Sequence, residues 1–73
     1  FFFDGVRLEY VAEFLESFYA IEIVFENDSI KELPITSDFK NDDIDDIMEV
    51  IAFSQNLTLK KDNYIYYLDE SDN

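Results

Sequence analysis

The apolar residues of this chain fall into two copies of one pattern. At an offset of 36 positions, the distance from Leu8 to Ile44, Leu8 lies on Ile44, Val11 on Ile47, Ala12 on Met48, Phe14 on Val50 and Leu15 on Ile51. Farther on, Ile21 lies on Leu57 and Ile23 on Leu59, and upstream Phe3 lies on Phe39. Each copy reads as a strand, a helix with apolar residues at 3.6 spacing, and a strand with period two. The coinciding residues are core types and not reactive ones, so the repeat describes an architecture and speaks against a catalyst.

Within the first copy, Phe1 to Phe3 form a short strand that Asp4-Gly5 is expected to break. A helix follows from about Arg7 to Tyr19, with Leu8, Val11, Ala12, Leu15, Phe18 and Tyr19 on its inner face and Glu9, Glu13 and Glu16 on its wet side. Tyr10 and Phe14 flank that stripe: they either widen the core or form an exposed aromatic pair, and the core is expected because Phe14 coincides with Val50. Ile21, Ile23 and Phe25 alternate with polar positions as a half-buried strand. Asn27-Asp28-Ser29 is a turn cluster, and Pro34 suits the start of a strand in which Ile35 and Phe39 face inward.

In the second copy, Asp43 is the expected N-cap of helix two, with Asp46 completing a capping box. Ile44, Ile47, Met48 and Ile51 make the inner stripe, Phe53 points away from it, and Asn56 suits a left-handed stop. Leu57 to Lys60 and Tyr64 to Leu68 form a hairpin across Lys61-Asp62-Asn63. The expected organisation is one domain over residues 1–68 and a disordered acidic tail over 69–73.

Composition narrows the chemistry. Seventy-three residues make one small domain, and a chain of that size buries only about 60% of the surface its unfolded form exposes. Eight Phe and five Tyr supply the large apolar areas it needs. The absence of His removes the commonest general base and metal ligand, and the absence of Cys removes disulfides and thiolate metal sites. A single Gly leaves no glycine-rich phosphate loop. Eighteen acids against five bases give a net charge of −13, a poor match for nucleic acid or an anionic membrane surface and a good one for a cationic protein surface. No apolar run is long enough to span a bilayer. The chain opens on Phe and not Met, and is expected to be an excised or processed segment.

The run Asn41-Asp42-Asp43-Ile44-Asp45-Asp46 has the oxygen density of a calcium loop, but it lacks the Gly of an EF-hand and Ile44 interrupts it. Helix capping is the expected role, with no metal and no cofactor. So small a core leaves little room for a cleft around paired carboxylates, so no enzyme is expected. Asn27-Asp28-Ser29 and Asn56-Leu57-Thr58 are formal glycosylation triplets, and neither is read as modified. The interaction candidates are Phe53, Tyr64, Tyr66 and Tyr67: they either anchor a partner or stabilise the hairpin as cross-strand pairs.

Phe3-Asp4-Gly5-Val6-Arg7-Leu8, then Val11, Leu15 and Tyr19, then Ile21-Glu22-Ile23, resembles the opening of the C-terminal domain of FecR-like anti-sigma regulators. Ile35-Thr36-Ser37-Asp38-Phe39-Lys40-Asn41, Ile44-Asp45-Asp46-Ile47-Met48, Leu57 and Asn63-Tyr64-Ile65-Tyr66 continue the resemblance. Val6 stands where that family has a small hydroxyl residue, Arg7 where Pro is common and Ser37 where Gly is common. The resemblance implies an α+β fold: a duplicated β-α-β unit with two helices side by side between two small sheets. It also implies a periplasmic, non-catalytic interaction domain of an inner-membrane protein whose membrane span lies elsewhere. The implied partner is the signalling domain of a TonB-dependent outer-membrane transporter. Two related roles share the pattern: a structural module of an envelope assembly, as in the N-terminal domains of secretins, and the transporter's own signalling domain. The short acidic stop after Leu68 suits the regulator's C-terminus.

Overall fold

A computed structural model describes residues 1–40 and 43–71. The order is β1 (Phe2–Arg7), α1 (Leu8–Tyr19), β2 (Glu22–Phe25), a 3₁₀ turn (Asp28–Glu32), β3 (Pro34–Asp38), α2 (Ile44–Ser54), β4 (Leu57–Asp62) and β5 (Ile65–Glu70). β1 and β3 make a two-stranded antiparallel sheet, and β2, β5 and β4 make a second sheet in that order. β2 runs parallel to β5, and β4 antiparallel to it. The fold is α+β, with two helices and two small sheets around one core, as the doubled pattern implies.

The repeat is visible in the backbone. Ala20 and Asn56, 36 positions apart, end their helices in the same left-handed conformation, each with φ of 56°. A left-handed residue turns the chain out of a helix and lets a strand follow at once. Leu15 and Ile51 are equally equivalent, and both are buried. They join Leu8, Val11, Ile47, Met48, Tyr66 and Leu68 in the solvent-free centre of the core.

Several local readings need correction. Asp4-Gly5 does not break β1. Phe3 pairs with Ser37 and Val6 with Ile35, so one extra residue bulges out of the strand, with Gly5 at φ 64° and its N–H donating to Thr36 Oγ1 at 2.9 Å. Asp43 occupies the N-cap position of α2, but its side chain makes no capping hydrogen bond, so no capping box forms. Asn41 and Asp42 lie outside the described residues. Asn27 caps the 3₁₀ turn through Oδ1, and that turn buries Ile30. β4 runs two residues farther than expected, through Asp62: Asp62 pairs with Ile65, and Asn63-Tyr64 form the turn, with Asn63 at φ 57°. β5 runs on through Glu70, and Asp69 and Glu70 pair with Thr58 and Leu57, so the acidic end is strand where a tail was expected to begin. Residues 72 and 73 lie outside the described part.

The widest departure lies on α1. Phe18 and Tyr10, expected in or beside the core, are 60% and 53% exposed, and Phe14 keeps 38% of its surface in solvent. Its repeat partner Val50 is exposed too, so the repeat holds where the inference of burial does not. A sheet of only two strands is too narrow to roof the flank of a helix beneath it.

Candidate interaction surface

The four sequence candidates do not form one site. Phe53 is 90% exposed on the outer face of α2. Tyr64 is exposed at the tip of the β4–β5 turn. Tyr67 lies half-buried on the outer face of the three-stranded sheet, beside a shallow depression lined by Glu26, Thr58, Lys60, Asp69 and Glu70. Tyr66 is the opposite of a surface anchor, because strand alternation turns it inward and it is 2% exposed. Among the described residues no ring contact joins Phe53, Tyr64 and Tyr67.

Tyr66 has a structural task. Its hydroxyl donates to Asp45 Oδ1 in the first turn of α2, and Lys61 Nζ donates to both oxygens of the same carboxylate at 3.0 and 3.2 Å. Lys61 also lies over the Tyr66 ring, 5.4 Å from its centroid. The Tyr66 hydrogen bond, and after it Lys61, holds the Asp45 carboxyl below the usual carboxylate range. Burial, reinforced by that hydrogen bond, pushes the Tyr66 phenol up. Asp45, expected only to complement the helix dipole, therefore ties α2 to the hairpin. Among the described residues no group of three acids converges as metal ligands, and no helix is long and apolar enough to cross a membrane.

The aromatic residues that do gather lie on β1 and α1. The Phe1 ring meets Phe14 at 4.9 Å and Phe18 at 4.6 Å, both edge to face, and Phe14 stacks on Phe18 at 6.0 Å. Phe3 joins Phe14 at 5.7 Å from the core side. Phe2, pointing to the opposite face of β1, is 70% exposed. Phe14 and Phe18 thus make a shelf that projects past the cover of β1. One signal of it stood in the sequence: Phe14 and Phe18 are four apart, and Phe14 lies off the inner stripe. Reading it required knowing that the roof above had two strands.

The shelf and the strand beside it lie in an acidic setting. α1 carries Glu9, Glu13 and Glu16 and no Lys or Arg. Arg7, just before the helix, is already engaged with Glu9 at 3.5 Å and Glu32 at 3.2 Å. What this part of the surface offers is therefore contact area and field.

The family described as FecR, C-terminal, fits residues 1–67. Crystal structures of a candidate anti-sigma factor from Parabacteroides distasonis ATCC 8503, at 1.65 and 2.50 Å resolution, superpose with TM-scores of 0.87 and 0.86 at 19% sequence identity. Each covers 99% of this chain, and this chain spans 34% of the length of theirs. At that identity the likeness is one of fold. No curated protein matches the chain in sequence. The doubled strand-helix-strand core, the sheet topology and a family fit that reaches from Phe1 to Tyr67 agree, and the chain belongs to the FecR C-terminal domain family.

Proposed function

We propose that this chain is the non-catalytic interaction domain of an anti-sigma regulator, and that it receives a signal by binding the signalling domain of a TonB-dependent outer-membrane transporter. The family fit over residues 1–67 carries this reading. The surface supports it: exposed aromatic side chains on β1, α1, α2 and the hairpin turn, set in the field of a −13 net charge, suit a protein partner of opposite charge. The domain works in the periplasm, held by a membrane span in another part of the parent protein. The message passes by contact and requires no bound cofactor. The P. distasonis protein is about three times as long as this chain, which leaves room in such a parent for further segments.

The test is binding between the purified domain and the signalling domain encoded beside its gene, followed by calorimetry at low and moderate salt. A one-to-one complex whose association slows with salt is expected, because steering between opposite fields is screened. No complex at either salt concentration contradicts the relay.

A further inference from the structure

We propose that the open edge formed by Phe1 and the start of β1, Phe2 and Phe3, accepts an extended strand of the partner in which apolar residues alternate with basic ones. This rests on the relay reading above and specifies its contact. Phe39 N–H donates to Phe1 O at 2.6 Å, so Phe1 and Phe39 are a hydrogen-bonded antiparallel pair. Alternation then makes Phe2 and Asp38 the non-bonded pair, and turns the N–H and C=O of Phe2 away from β3, toward the free edge. A strand added there lies about 4.8 Å out. At that distance it covers Phe14 and Phe18, which β1 leaves exposed.

The other sheet edges are defended. On β2 the outward N–H of Ile23 is taken by Glu16 Oε2 at 2.8 Å. β3 opens on Pro34, which has no N–H, and its carbonyl accepts from Gln55 Nε2 at 2.8 Å. The far end of β3 carries the ion pair of Asp38 and Lys40, at 3.7 Å. β4 carries Lys60, Lys61 and Asp62. Charges, proline and capped amides are the means by which sheets prevent unwanted pairing. Phe2 and Phe3, with Phe1 before them, carry neither proline nor a charged side chain; they present phenylalanine backbone over an aromatic shelf.

Charge selects the occupant. A second copy would bring two chains of −13 together beside three glutamates each. A strand with Lys or Arg flanking its apolar positions instead meets Glu13 and the rest of the acidic rim with opposite sign. Addition of a strand to a free edge supplies main-chain hydrogen bonds, and pockets for alternate side chains supply specificity.

Phe2→Pro removes the outward N–H without touching a hydrogen bond of the fold, and Phe18→Ala removes half of the shelf. With the cognate signalling domain as probe, each is expected to weaken binding at least ~10-fold, the scale of a lost interface anchor, while Phe53→Ala leaves it unchanged. Unchanged binding by both variants at native melting temperature overturns the edge and spares the relay. No binding by the wild type overturns the relay itself. Amide exchange in the wild-type complex gives a readout that needs no variant: exchange at Phe2 is expected to slow on binding, and unaltered exchange there overturns the proposal. Dimerisation of the isolated domain through β1 overturns the choice of occupant.

Discussion

Ala20→Gly should stabilise this domain, although it removes a methyl group and replaces a good helix former with a poor one. Ala20 follows the last residue of α1 with φ 56° and ψ 46°, and its N–H donates to Glu16 O at 3.1 Å. An L-residue in that conformation carries about 1–2 kcal/mol of steric cost between Cβ and the following carbonyl. Glycine has no Cβ to clash, but its unfolded chain is freer by roughly 0.5–1 kcal/mol, which opposes the gain. The methyl of Ala20 is exposed, so little burial is lost. The balance is a gain of about 0.5–1 kcal/mol, which for a domain of this size raises Tm by roughly 2–8 °C. Asn56 holds the equivalent place in the second copy at the same φ. Asparagine tolerates that region, so Asn56→Ala should lower stability by a comparable amount. Thermal melts followed by circular dichroism read both changes. A lower Tm for Ala20→Gly, together with an unchanged one for Asn56→Ala, would show that the two helices do not share a left-handed stop.

Three further outcomes are expected. Leu15→Ala or Ile51→Ala, each at a fully buried repeat position, should cost about 2–5 kcal/mol in urea unfolding; a loss below ~0.5 kcal/mol in both would show that the helix faces are misassigned. Glu16→Ala uncaps the outward Ile23 amide and should cost about 1 kcal/mol while opening the β2 edge to self-association, visible in sedimentation; a variant with unchanged stability and mass would show that the cap is idle. Asp45 has a lowered folded pKa, so its contribution is present above the unfolded carboxylate pKa, about 3.9, and is lost as pH falls through the folded value. Tyr66 has a raised one, so its contribution is complete below about pH 10 and is lost as pH rises through the folded value. Asp45→Asn should flatten the acidic limb of stability against pH and Tyr66→Phe the alkaline limb; limbs identical to wild type would remove the Asp45–Tyr66 tie.

The core was legible because burial between helices and sheets imposes periodicity, and the doubling supplied two readings of each position. Leu15 and Ile51, or Asn56 with its left-handed turn, needed no tertiary information. The surface was another matter. Tyr66 looks like any other Tyr of the hairpin until strand alternation is anchored by the turn, and the turn begins two residues beyond its expected start. Phe18 sits within a correct helical stripe, yet stays exposed because the sheet above α1 has two strands and not three. Ala20 carries no sequence signal for positive φ at all, and only its repeat partner Asn56 marks the position. Asp45 looked like one acid among several, and its role depends on Lys61 and Tyr66 arriving from a hairpin 16 and 21 residues away.

The central claim is contact signalling through one face of the domain. Titration of the isotopically labelled domain with its cognate signalling domain, followed residue by residue by NMR, tests it most directly. The account predicts saturable shifts concentrated at Phe1 to Asp4, Phe14 and Phe18, with Phe53 and the Tyr64 turn undisturbed. Shifts centred on Phe53 and Tyr64 would place the contact on α2 and the hairpin turn and not on β1, and a spectrum unchanged at saturating partner would contradict the relay altogether.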